Sequence, residues 1–366
     1  MLSSDIAEGL LKGVLTALLP GLHPLLLPFS SEVSISVAYG IYSALSSLPS
    51  VFLGAFSSVT AYTAIVAHRL VRRGRGAHAL LLYAAGALLG ILFPLFYYPL
   101  TDLLSIRLPA VLMFLFLLFV AVLTVLRSRN PLMAALLATM YGTLGIIVLQ
   151  TPFPVSQPLT ISIASLFGAS TVLIALFSRE RFRYGREGRF NVNSLLRGGL
   201  FGFITAFVIA YFPAVSLSVA AFMIQPLFRV RDEEMMVATG SSASSSLFLT
   251  AAGKVYGLVR SSFAAGLPET PYIPRVFASL AFGVSTGVLL LLLLSRALYS
   301  LYSRRLLKVV AVFTVLAVSY GLSGIPGLLL SVSMMCAGTL THLLGVEKRV
   351  AMFFLLLPTL AYYAPI

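Results

Sequence analysis

"GVLTALLPGLHPLLLPF", Gly13 to Phe29, is the stretch whose reading decides the fold. It is apolar enough for a membrane interior, yet Pro20, Gly21, His23, Pro24 and Pro28 fall within nine positions. Proline removes a backbone donor and clashes with the turn before it, and glycine lets the chain reverse, so no straight helix runs through. Irregular backbone survives in hydrocarbon only where protein covers it or where it lines a watery cavity. The expectation is a helical hairpin, or a broken helix ending near the midplane. A helix N-terminus there suits an anion, and the carbonyls of a C-terminus suit a cation.

Composition supports a membrane setting. Of 366 residues, 59% are hydrophobic and 10% charged, with a mean hydropathy of +1.01. A soluble domain carries about 25% charged residues to solvate its surface. One span takes roughly 20 apolar residues, which leaves room for about ten to fourteen segments. The start, with Asp5 and Glu8, does not read as a signal peptide. Cys336 cannot form a disulfide within the chain and reads as a buried thiol. His23, His68, His78 and His342 are scattered without metal-ligand spacing. Tryptophan is absent, so Tyr97, Tyr98, Tyr362 and Tyr363 must serve as the aromatic belt. The net charge of +14 would suggest nucleic acid in a soluble chain. Here the arginines lie in loops between apolar runs, where they set topology instead.

The loops give that topology. Apolar runs occupy 77–98, 107–126, 131–149 and 159–178. Arg69, Arg72, Arg73 and Arg75 precede the first run, and the next connection carries only Asp102. Arg127 and Arg129 follow, then a base-free connection, then six arginines between Arg179 and Arg197. Loops 69–75, 127–129 and 179–197 are therefore expected in the cytoplasm, with the chain in the plasma membrane. Later runs at 276–295, 309–323, 325–343 and 350–365 alternate the same way, with Leu267 to Pro274 outside and Arg296 to Lys308 inside.

Each half thus has a broken region, 9–68 or 195–266, followed by four plain spans. The first broken region ends inside and the second outside. The expected fold is an all-α polytopic membrane protein of two inverted-topology repeats, 1–190 and 191–366, each with a re-entrant hairpin region and about four transmembrane helices. Internal similarity sets Gly9 against Gly202, Pro20 against Pro213, and Ser57 against Ser241.

Two further stretches are too polar for lipid contact. "SALSSLPS" (43–50) with "GAFSSVT" (54–60) lies in the first half, and "TGSSASSS" (239–246) in the second. Their hydroxyls either hold a ligand or let helices pack closely. Candidate substrate contacts are Pro20, Gly21, His23, Pro24, Ser57, Ser58, Pro213, Ser216, Ser241, Ser242, Ser244 and Lys254. Lys254, Arg260 and Lys12 either meet an anion or snorkel to the headgroups. "RVRDEEMM" (229–236) reads as a solvated loop with local ion pairs. No nucleotide-binding loop, HExxH or GxSxG appears, and acids are too few in the spans for a carboxylate relay. No cofactor and no catalytic group is expected.

"GVLTALLPGLHP", with the broken segment after it and then "AIVAHRLVRRGRGAHAL", resembles the large membrane subunit of tripartite tricarboxylate transporters, the TctA family. The shorter archaeal-type members are the most similar. The resemblance covers the first ninety residues well and the second hairpin region less well. It implies inverted repeats, a site between paired hairpins, and cation-coupled carboxylate uptake with a small membrane subunit and an extracytoplasmic binding protein. Pro20, Gly21, Pro24 and Pro213 carry over. His23 and Ala214 stand where the family pattern has glycine.

The leading expectation is a secondary transporter of an organic anion, a carboxylate, driven by Na+ or H+, with a homodimer left open. The alternative is a translocase for a polyprenyl phosphate or another anionic lipid. A scaffold does not explain the breaks, and an intramembrane enzyme lacks a nucleophile–base pair.

Overall fold

The computed structural model describes residues 2–19, 22–53, 66–67, 69–71, 73–96, 98–177, 184–185, 188, 191–215, 220–221, 230–302 and 304–365. Among them every regular element is helical. In order these are α1 (Leu2–Leu18), α2 (Glu32–Leu45), α3 (Ser47–Leu53), α4 (Gly76–Phe96), α5 (Ala110–Leu126), α6 (Pro131–Gln150) and α7 (Pro158–Phe177). They continue as α8 (Val192–Tyr211), α9 (Asp232–Val255), α10 (Ser262–Gly266), α11 (Ile273–Tyr302), α12 (Arg305–Leu343) and α13 (Phe353–Tyr363). Among the described residues seven helical stretches, one of them Glu32–Phe52 across α2 and α3, are long and apolar enough to cross a membrane. The expected runs at 309–323 and 325–343 are the two arms of α12, which folds back at Ser323–Gly324, where the backbone is non-helical. A β-carbon on Gly327 would lie 2.4 Å from the Ser319 carbonyl, a distance only a reversal permits.

Glycines at the contacts fix how the helices run. A β-carbon at Gly9 would meet Ser34 and Val37, and one at Gly13 would meet Ala38 and Ile41. The numbers rise together, so α1 and α2 are parallel. Likewise Gly283 meets Val37, and Gly287 meets Ile41 and Ala44, so α11 runs the same way. A second set repeats this. Gly198 meets Glu234 and Val237, Gly202 meets Ala238 and Ser241, Gly86 meets Val237, and Gly90 meets Ser241 and Ser244. Hence α4, α8 and α9 form another parallel trio. The helices that flank the first break are therefore not an antiparallel hairpin. Residues 22–31 carry the chain back along α1 before α2 begins.

Polar contacts show that the two trios run in opposite directions. Arg69 Nη1 lies 2.9 Å from Asp232 Oδ1, and Arg75 Nη2 lies 2.7 Å from Glu233 Oε1. These join the starts of α4 and α9 at one end of the bundle. At that same end Arg349 donates to the Arg127 carbonyl (3.0 Å) and Lys308 donates to Ala175 (2.9 Å). We call it the basic end. At the far end Arg275 meets Glu32 at 3.4 Å, joining the starts of α2 and α11, and the Tyr256 hydroxyl donates to Asp102 at 2.6 Å.

The remaining helices pack around a second core. It includes Leu137, Tyr141, Leu166, Phe167, Met334 and Phe354, together with Val215 and Ala220. Its contacts are again reciprocal. A β-carbon at Gly145 would meet Phe354 and Pro358, and one at Gly338 would meet Leu166 and Ser170.

Two sequence expectations change. Gly198 meets α9 as Gly9 meets α2, so the packing matches Gly9 with Gly198 and not with Gly202, and Ile41 with Ser241; Ser57 lies outside the described residues. The new register also sets Thr16 opposite Thr205, and each donates to the carbonyl four residues back, at 2.8 Å. Repeated glycines every four residues make a four-residue slip invisible to letter matching. Cys336 is exposed on α12, not buried, because that arm turns it away from the contact made by Gly338.

Candidate functional site

The first break is built from α1 outward. Lys12 donates to Glu8, one turn before it, and to the Pro28 carbonyl, while the Ser30 hydroxyl donates to Glu8. Lys12 Nζ also sits 5.1 Å from the centre of the Phe29 ring. Instead of snorkelling, Lys12 straps the returning segment to α1. Ser31 then starts α2 through a capping box with Ser34.

Inside this return His23 caps a 3-10 turn, Pro24–Leu26. Its Nδ1 accepts the Leu25 N–H at 3.2 Å, so the neutral ring carries its proton on Nε2. The ring packs edge-on against Tyr39 and Tyr42, with centroids 5.5 Å and 5.0 Å away. The Tyr39 hydroxyl donates onward to Ser262 at 3.2 Å. Tyr39 and Tyr42 lie midway along the Glu32–Phe52 span, beside the Gly40–Gly283 contact, so His23 sits at mid-height of the bundle. Pro24, at the first position of the turn, is buried, where its missing donor costs nothing.

Leu22 and Leu26 face across the molecule. They line a small cleft with Thr160, Ile161 and Ala164 of α7 and with Val315, Val318, Ser319 and Leu322 of α12. The opposite wall contains a π-helical turn, Ala164–Ala169. Within that turn Ser165 shares a hydrogen bond of 2.7 Å with Ser331, and just before it Ser162 Oγ is buried without a partner. Sequence reading missed this wall. "LTISIASLFGAST" looks like an ordinary span, and an extra residue in one helical turn leaves no mark in composition.

The other expected contacts are placed as follows. Pro20, Gly21, Ser57, Ser58 and Ser216 lie outside the described residues. Pro213 lies just past α8, beside Phe212, which stacks on Phe116 of α5 at 3.8 Å. Ser241 donates to the Gly199 carbonyl at 2.8 Å, and Ser242 to Thr239 at 3.1 Å. Ser244 is fully buried against Gly90, with its hydroxyl unpartnered. These three serines sit where α9 meets α8 and α4. Lys254 is ten residues beyond Ser244, about 15 Å along the helix, near the far end. So the structure brings His23 and Pro24 together and holds the serine group and Lys254 apart from them.

At the basic end His78 is fully buried, a position its scattered place in the sequence did not signal. Its Nδ1 accepts the Gly188 N–H at 3.1 Å, and its Nε2 lies 3.7 Å from Glu233. "RVRDEEMM" is accordingly no free loop. Asp232, Glu233 and Glu234 open α9 and pair across to Arg69, Arg75 and Arg197. Among the described residues no three His, Cys, Asp or Glu side chains gather as a metal site.

Spans packed through small residues, a broken segment at mid-height and opposed helix trios define a polytopic membrane protein. The chain belongs to the tripartite tricarboxylate transporter TctA family, whose model matches residues 6–252, and it is thus a transporter membrane component. No curated protein and no solved structure matched it.

Proposed function

We propose that the protein is a secondary transporter for an organic anion, a carboxylate, driven by a gradient of Na+ or H+. The carrying observation is the reciprocal glycine register, in which α2 packs on α11 as α9 packs on α4, in opposed directions. Such a pattern supports two inverted repeats, 1–190 and 191–366, rocking about a shared interface. The mid-height break is the substrate site in this reading. His23 presents Nε2–H to a carboxylate oxygen, Pro24 shapes the turn, and the wall of α7 faces the neighbouring Leu22 and Leu26. Ser241, Ser242 and Ser244 serve the site by permitting close packing of the helix that must move. The basic end is cytoplasmic, in the plasma membrane. Family membership supports a small membrane subunit and an extracytoplasmic binding protein as partners. No observation favours the lipid-translocase alternative.

The test is uptake of labelled citrate, succinate and related carboxylates into proteoliposomes. Accumulation that follows an imposed Na+ or H+ gradient is the expected result. Equal, slow entry with and without a gradient, across the whole panel, removes the reading.

A further inference from the structure

The far end should be poor in positive charge, yet Lys254, Arg260 and Arg107 all lie in the segments around the end of α9. Gly257 closes the helix with φ +76, a left-handed conformation suited to glycine. Its N–H donates to the Lys254 carbonyl (3.0 Å) and the Leu258 N–H donates to Gly253 (2.9 Å). This turn keeps Lys254 and Arg260 on either side of one short reversal. Arg107, from the segment before α5, adds a third charge. Its Nη2 stands 4.0 Å from where a β-carbon on Gly257 would be, and no other atom comes as near.

Lys12, Arg69, Arg73, Arg75, Arg197 and Arg275 all face a carboxylate. Among the described residues Lys254, Arg260 and Arg107 face none. Asp102, close by, accepts from Tyr256 and offsets one charge of three. The Nε of Arg260 is buried and has no acceptor. Snorkelling accounts for a lysine at a helix C-terminus. It does not account for a guanidinium N–H withdrawn from water with nothing to bond. Guanidinium forks are matched in shape to carboxylates, and several unpaired cations together suit an anion with more than one carboxylate.

We propose that Lys254, Arg260 and Arg107 form a capture site for a di- or tricarboxylate at the far-end mouth of the protein. Its part in uptake rests on the carrier reading above, whereas its binding of a carboxylate does not. Calorimetric titration of citrate into purified protein in non-ionic detergent tests the binding. Arg260→Gln is expected to weaken it about tenfold, the loss of one charge-assisted contact, and Lys254→Gln with Arg107→Gln added to abolish it. Arg260→Lys, with helical content checked by circular dichroism, retains most of it. Unchanged binding by the triple variant, or none by the wild type, overturns the site. The titration is repeated in nanodiscs with neutral lipid and with phosphatidylglycerol. Citrate binding that persists in both supports capture; its loss with phosphatidylglycerol means a lipid phosphate holds the site, and the proposal falls. A wild type that binds citrate through these residues but shows no gradient-driven uptake removes the carrier reading alone.

Discussion

His23 and Lys348 show how one residue can hold both a turn and a charge state. His23 supplies an acceptor to Leu25 and a ring to Tyr39 and Tyr42. Asparagine can still cap the turn but leaves the ring contacts empty, whereas leucine loses the cap, worth about 1 kcal/mol. His23→Asn should therefore melt close to the wild type and His23→Leu measurably lower, while both lose about tenfold in carboxylate uptake if Nε2 binds substrate. Wild-type uptake by either variant would place the site elsewhere. Lys348, in the connection after α12, donates to Ser170 (3.1 Å) and Thr171, and burial pushes its amine down from 10.5 to about 7. The folded state thus binds fewer protons than the unfolded one between those values, and stability rises with pH across that window. Circular-dichroism melts should show a rise from pH 7 toward pH 10 that shrinks in Lys348→Met. An equal rise in both proteins would show that another group sets it.

At the scale of elements, close approach is the main device. A β-carbon on Gly86 would fall 2.0 Å from the Val237 carbonyl, and one on Gly240 would fall 2.1 Å from Tyr83. Backbone atoms on both sides cannot step aside as a side chain would. Gly86→Ala should cost about 1–3 kcal/mol through forced separation of α4 and α9. Gly321→Ala meets nothing within 4 Å on α12 and should be neutral or gain up to about 1 kcal/mol from helix propensity. Thermal melts of the two variants decide it, and equal behaviour would discount the α4–α9 contact. The sequence showed that "TGSSASSS" was not lipid-facing, but not which role its hydroxyls take. Small polar residues serve packing and binding equally well. Only the neighbouring Gly90 and Gly199 backbones decide for packing at Ser241 and Ser244.

Across the whole molecule, the ion pairs of Arg69 and Arg75 gather at one end, and those of Glu32 and Arg275 at the other. With the basic end in the cytoplasm, Glu269→Cys, in a Cys336→Ser background, should react with a membrane-impermeant maleimide on intact cells. Arg129→Cys should react only after the membrane is opened. The reverse pattern would invert the orientation but not the fold. The first break was legible because proline and glycine act locally, through one donor and one φ angle. Its course was not. A parallel α1 and α2 require the chain to travel back along α1, and the strap that guides it, Lys12 to Pro28, spans sixteen residues.

What the sequence determined by itself is whatever acts within a span's length. Hydropathy placed most spans within about three residues, and the alternation of basic loops gave ends that the cross-bundle contacts join consistently. Tertiary structure alone decided what depends on contact between distant segments. It set the glycine contacts of α1 on α2 and of α8 on α9 in a matching register, four residues from the one the letters suggest. It put the wall of α7 opposite Leu22 and Leu26, and it turned Lys12 from a headgroup anchor into a strap. The physical reason is the same in each case. Transfer to a membrane is a sum over single residues, whereas close packing and hydrogen bonding depend on which backbone arrives from the other side.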